Sequence, residues 1–217
     1  MKPKIFNIAA AAFLVLLLFP ATIASAHPHV WVTVETEVDF GPNKEIVGFK
    51  HKWTFDEFYT EFAIQGLDTN GDGIYSEKEL QPLAQTNVEA LKEFEYFTFA
   101  FVEKTKIALK EPENYRLEYK DKLLTLYFTL PLQTPVEPGK VKDFNFAVYD
   151  PGMYVAMTFA KKAPVRLVSA KPLQCVPHVG DRPSGQESTL AQLGENIDPS
   201  SNIGAQFAER VTINCKS

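Results

Sequence analysis

Between His29 and Phe40 apolar and polar residues alternate. Val30, Val32, Val34, Val38 and Phe40 share one face, and Trp31, Thr33, Glu35, Glu37 and Asp39 share the other. A period of two is that of a strand with one buried face. Gly41-Pro42-Asn43-Lys44 then reads as a turn, and Glu45 to Trp53 as the returning strand of a hairpin. Pairing Phe40 with Glu45 sets Val47 against Val38, Phe49 against Thr36, His51 against Val34 and Trp53 against Val32. The apolar faces of the two strands then coincide.

The period changes after Trp53. Thr54-Phe55-Asp56-Glu57 is a capping-box sequence, and Phe55, Phe58, Tyr59 and Phe62 follow at helical spacing up to Gly66. A second helical pattern runs through Leu80, Leu83, Ala84, Val88, Leu91 and Phe94. Pro82 belongs near its first turn, where a missing N–H is tolerated. Further strands are predicted at Tyr96–Val102, Lys106–Lys110, Tyr115–Tyr119, Leu123–Leu130, Asp143–Tyr149, Tyr154–Ala160 and Val165–Ala170. Val179 to Gln206 is rich in Gly, Ser, Asn, Gln and Pro and reads as a long loop, with Val211–Cys215 returning as a short strand. The predicted class is α+β, mostly antiparallel β in a sandwich or barrel-like arrangement, with an EF-hand-like helix–loop–helix inserted over residues 54–95. A loop-rich segment covers 171–217.

The N-terminus changes this picture. Lys2 and Lys4 precede an apolar run from Ile5 to Phe19, then Pro20 and the small-residue site Ala24-Ser25-Ala26. That is the pattern of a cleavable signal peptide, residues 1–26, which would leave one domain at 27–217. The alternative reading of the same run is an uncleaved anchor. The expected location is periplasmic, with no membrane insertion after cleavage. The chain of 217 residues is 45% hydrophobic, enough to bury a sizeable core, and its net charge of −5 includes no basic block. That excludes a nucleic-acid partner. Cys175 and Cys215 are the two cysteines. In an oxidising compartment they are expected to pair, closing a loop of about 40 residues worth about 3–4 kcal/mol.

The densest chemistry lies at Asp68-Thr69-Asn70-Gly71-Asp72-Gly73-Ile74-Tyr75-Ser76-Glu77-Lys78-Glu79. Calcium is a hard cation that takes six to eight oxygens. Asp68, Asn70 and Asp72 offer side-chain oxygens at loop positions 1, 3 and 5, and Gly73 stands where the sharp turn is required. Ile74 offers its carbonyl, Ser76 acts through a water, and Glu79 binds at position 12. Tyr75, at position 8, replaces the usual Ile. No second loop of this kind occurs in the sequence.

Cleavage after Ala26 would start the mature chain at His27-Pro28-His29. The free amine and imidazole of His27, with His29, form a candidate site for zinc, nickel, cobalt or copper. Pro28 has no amide hydrogen to lose, which rules out a square-planar amide-nitrogen site. His51 reads either as a buried histidine with one hydrogen bond or as a third imidazole beneath the N-terminal arm. His178 reads as a fourth ligand or as a loop residue. No nucleophile–base set stands out, so no enzymatic activity is expected.

Several of these pieces carry a resemblance. Ala26-His27-Pro28-His29-Val30-Trp31-Val32, Trp53-Thr54-Phe55-Asp56-Glu57, the acidic loop, Tyr96-Phe97 and Tyr149-Asp150-Pro151 resemble a bacterial periplasmic family of unknown function. That family is known as "ABC-type uncharacterised transport system, periplasmic component". Its members are often encoded near nickel/cobalt-exporter-type membrane proteins. The resemblance implies transition-metal handling by His27 and His29 for a membrane metal transporter. The expected function is a periplasmic metal-binding accessory protein that also binds calcium. The alternative is a calcium-stabilised adaptor or interaction module without a transition-metal role.

Overall fold

The computed structural model describes residues 28–181 and 202–216. The expected signal peptide at 1–26, His27 and most of the expected C-terminal loop lie outside them. The first hairpin forms as the alternation predicts, with β1 at Val30–Phe40 and β2 at Ile46–Phe55. Its register differs from the expected one. Phe49 lies opposite Val38, His51 opposite Thr36 and Trp53 opposite Val34, two residues along from the expected pairing. Ile46 and Phe49 are both fully buried although three residues apart, which strict alternation forbids. A bulge near Val47 supplies the extra residue. Ile46 pairs with Phe40 and Gly48 with Asp39.

Helix α1 spans Glu57–Ala63 and helix α2 Glu77–Leu91. The strands that follow are β3 (Thr98–Val102), β4 (Thr105–Ile107), β5 (Glu113–Lys120), β6 (Leu123–Val136), β7 (Phe144–Val148), β8 (Val155–Phe159) and β9 (Val165–Val168). The chain closes with β10 (Cys175–Val179) and β11 (Arg210–Cys215).

These strands make two sheets. The first has the order β5-β6-β2-β1-β8, with β9 also paired to β1, and the second the order β10-β11-β7-β3-β4. They meet across a core in which Phe49 packs tilted against Phe146, with ring centroids 4.7 Å apart, and His51 reaches Thr98 on β3. Most pairings are antiparallel. No closed barrel forms among the described residues. Two pairings depart from the expected antiparallel pattern, because β8 and β9 both run parallel to β1. β7 belongs to the other sheet, so the chain enters β8 by a crossover and not a hairpin, and direction is then free to match β1. Asp150 shapes that crossover by accepting from the Gly152 N–H at 2.8 Å and the Val155 N–H at 2.9 Å.

Among the described residues, the segment expected to be loop-rich, 171–217, contains two strands. β10 and β11 pair with each other, and β11 is inserted between β10 and β7. Cys175 and Cys215 face each other across that pair and form a disulfide.

The helices differ from expectation in two ways. α2 buries Leu80, Ala84 and Val88 as its pattern predicts, but Pro82 lies inside the helix and not in its first turn. Lys78 and Pro82 are both exposed, so the carbonyl left without a helical partner is solvated. In α1 the aromatic residues Phe58 and Phe62, expected on the packed face, are 79% and 71% exposed, while Thr60 is fully buried. α1 is oriented by its tethers. Asp56 caps it by accepting from Tyr59 N–H at 2.9 Å and also accepts from Trp31 N–H at 2.8 Å. Thr60 Oγ1 accepts from Leu124 N–H at 3.0 Å.

Candidate functional site

The acidic loop joins α1 to α2. α1 stops at its C-cap Ile64, and Gly66, with φ of 74°, turns the chain away. Inside the loop Gly71 and Gly73 hold φ of 73° and 76°, the left-handed region that residues with a Cβ enter at a cost. These turns wrap the backbone around Asp68. Its Oδ1 accepts from Gly71 N–H at 2.8 Å and Asp72 N–H at 3.2 Å, and its Oδ2 from Gly73 N–H at 2.9 Å. Asn70 Oδ1 accepts from Asp72 N–H at 2.9 Å, and Asp72 Oδ1 from Ile74 N–H at 2.7 Å. Each donor is a main-chain amide, so the loop holds its own side chains inward.

Ser76 and Glu79 form a reciprocal capping box at the start of α2. Glu79 does more than cap. Its Oε2 accepts from Ser76 N–H at 3.0 Å and Ser76 O–H at 2.7 Å, and its Oε1 from Thr69 N–H at 2.9 Å and Thr69 O–H at 2.8 Å. One carboxylate therefore clasps the second and ninth positions of the loop together. The hydroxyl of Ser76 beside it, then the main-chain and Thr69 donors, lower its pKa to about 2. It is ionised at neutral pH.

Tyr75 has a visible purpose. It is half-buried, with its ring 4.8 Å from that of Tyr119 on β5, so it anchors the loop to the first sheet. Ile74, whose carbonyl is the candidate ligand, leaves its side chain 66% exposed.

The donor set suits a hard cation. Asp68, Asp72 and Glu79 offer carboxylates, Asn70 an amide, Ser76 a hydroxyl and Ile74 a carbonyl, with no nitrogen or sulfur ligand among them. Carboxylate oxygens carry two lone pairs each, so an oxygen such as Asp68 Oδ2 that takes one amide bond retains a second. Among the described residues no three His, Cys, Asp or Glu side chains stand close enough together to hold a metal. The loop carboxylates are bonded to the loop's own N–H and O–H groups instead.

The histidines are not brought together. His51 sits on the inner face of β2, 2% exposed, among the rings of Phe49, Trp53 and Phe128. Its Nδ1 lies 3.0 Å from Thr36 Oγ1 and its Nε2 3.2 Å from Thr98 Oγ1. Thr98 spends its one hydroxyl proton on the Tyr96 carbonyl, at 2.9 Å. Nε2 is therefore the donor to Thr98, and Nδ1 accepts from Thr36. Burial pushes the pKa down to about 3, so the ring is neutral with both nitrogens engaged. The expectation of His51 as a third metal-binding imidazole is corrected: it is a buried core histidine with two hydrogen bonds, not the one expected. Thr36 and Thr98 are its partners, and no sequence signal connects Thr98, 47 residues away.

His29 immediately precedes β1. It is exposed, its ring centroid is 4.7 Å from that of Tyr154, and its N–H donates to the Tyr154 carbonyl at 2.9 Å. His178 is exposed on β10, in the second sheet. Neither lies with His51 in one cluster.

Two relatives are similar to this chain in sequence. An uncharacterised protein of Haemophilus influenzae is 30% identical over 208 residues, covering 94% of this chain and 98% of that protein. An uncharacterised 15.5 kDa protein of Spirochaeta aurantia is 29% identical over 104 residues, covering 48% of this chain and 73% of its own length. A family model described as "Protein of unknown function (DUF1007)" matches residues 12–215, from the apolar N-terminal run to the second half of the disulfide, and the chain belongs to that family.

Proposed function

We propose that this protein is an extracytoplasmic, non-catalytic binding module that takes one calcium ion in the loop Asp68–Glu79. The observation that carries the reading is the loop itself. Twelve residues running from beyond α1 into the first turn of α2 present only oxygen donors in EF-hand order, with glycines at the two left-handed positions and Glu79 already bridging to Thr69 and Ser76. Tyr75 ties the loop to the first sheet, so an ion bound there stabilises α2 as well as the loop. The disulfide supports an oxidising, periplasmic location. The aromatic residues Phe58 and Phe62 on α1 supply an exposed apolar surface for a protein partner.

Isothermal titration with calcium tests this directly. One site per chain is expected, with Kd on the order of 10⁻⁴–10⁻³ M, as in extracellular modules. At calcium one hundredfold above Kd the folded state gains about 2.7 kcal/mol. Asp68→Ala or Glu79→Ala removes both the heat and the stabilisation. A melting temperature indifferent to calcium would reject the reading.

A second reading is the accessory component of a membrane metal transport system. It draws on His29, exposed at the start of β1 just after His27-Pro28. Without His51, the site rests on His27 and His29. Titrating zinc, nickel, cobalt and copper into chains beginning at His27, with and without one added N-terminal residue, separates the readings. Tighter binding to the unextended chain supports a free-amine ligand, and equal binding removes it.

A further inference from the structure

A cavity of about 200 Å³ opens beside the core, and no residue of the loop Asp68–Glu79 lines it. Its floor is the inner surface of β1, β2, β6 and β8, and one wall is the last turn of α2 with the segment that follows it. Phe94 and Tyr154 both line it and are 41% and 52% exposed, so they mark its mouth. Among the described residues no Asp, Glu, Lys, Arg or His lines it.

Two features set this cavity apart from a packing defect. First, Trp53, 98% buried by its relative exposure of 2%, lines it and has an Nε1–H with no hydrogen-bond acceptor. Asn87 lines it too, with its amide beside the Tyr59 hydroxyl. Buried donors without acceptors are rare and costly, and elsewhere in this core even His51 has both nitrogens engaged. Second, the wall after α2 is strained. Glu95, Tyr96 and Phe97 hold φ of 54°, 55° and 49° in succession. Bulky residues in that region are uncommon, and such strain gathers at ligand clamps. It carries the chain from Phe94 to Phe97, both of which line the cavity.

We infer that this cavity is a binding site for a small neutral molecule with an apolar body and a carbonyl oxygen. The apolar walls take the body. The Trp53 N–H takes the oxygen, since it is a donor without charge and without another acceptor. A carboxylate would enter without a cation to meet it, which disfavours fatty acids. An apolar cavity of about 150 Å³ accommodates benzene, so this one suits a ligand of roughly eight heavy atoms.

The test uses 2-heptanone, toluene and octanoate as probes, titrated into the full chain by calorimetry. Trp53 fluorescence is followed in a Trp31→Phe background, because Trp31 is solvent-exposed. 2-Heptanone should bind once per chain and alter Trp53 emission, and toluene and octanoate should bind more weakly. Trp53→Phe keeps an aromatic ring and removes the N–H. It should cut 2-heptanone affinity about three- to tenfold and leave toluene unchanged. Ala90→Trp places bulk at an exposed α2 position that lines the cavity and should block both. Failure of 2-heptanone to bind overturns the inference and leaves the cavity to a side chain of a protein partner. Equal affinity for all three probes, or binding that survives Ala90→Trp, overturns it too.

Discussion

At the scale of single residues, His51 shows how burial decides chemistry. An imidazole in water titrates near 6.5, and burial takes this one to about 3. The unfolded chain therefore binds a proton between those values while the folded chain does not. The stabilisation is complete above pH 6.5 and is lost as pH falls toward 3, at roughly 1.4 kcal/mol per unit. Between pH 6.5 and pH 5, His51 should cost the folded state about 2 kcal/mol. His51→Gln keeps a donor and an acceptor but does not titrate, and should remove that part of the slope. Urea midpoints at pH 7 and 5 for both proteins measure it, and parallel losses in the two would reject the assignment. Glu79 acts in a lower window. Its depressed pKa of about 2 makes its contribution present above the ordinary carboxylate range and lost as pH falls through it. The pH 5–7 comparison leaves it unchanged. The residue type of His51 was legible in the sequence, and its role was not, because Thr98 lies on another strand of another sheet.

At the scale of elements, α1 separates periodicity from orientation. The spacing of Phe58, Tyr59 and Phe62 correctly announces a helix, yet two of these three rings face solvent. A seven-residue helix packs through one narrow face. Asp56 on Trp31 and Thr60 on Leu124 select that face through hydrogen bonds to strand amides. Asp56→Ala should then cost about 1–2 kcal/mol, through the lost cap and the unpaired Trp31 amide. Phe58→Ser with Phe62→Ser should stay within about 0.5 kcal/mol of the parent for each change. Denaturant unfolding reads both, and the reverse ranking would mean that the aromatic face is packed. α2 behaves differently. Its stripe of Leu80, Ala84 and Val88 is buried where periodicity put it, because a fifteen-residue helix lying along β5 has enough apolar surface for the stripe to decide its orientation.

At the scale of the whole molecule, the C-terminal segment completes the second sheet. β11 lies between β10 and β7, and the Cys175–Cys215 bond locks it to β10. Reduction, or Cys175→Ala with Cys215→Ala, should lower stability by about 3–4 kcal/mol. Unfolding with and without reductant would measure it, and a loss below about 1 kcal/mol would show that strand pairing alone holds this end. The sequence by itself determined the sheet-rich class, the first hairpin, both helices, the oxygen-rich loop between them and the pairing of the cysteines. Each of these is written in local periodicity, turn chemistry or cysteine count, which act over a few residues or have one solution. Tertiary structure decided the bulge near Val47, the parallel docking of β8 and β9 on β1, the outward face of α1, the separation of the histidines and the cavity beside Trp53. Those outcomes depend on which distant strands meet. A chain cannot display along its length that β2 faces β3, or that an indole N–H will be enclosed among strands and helices that come together only when the core closes.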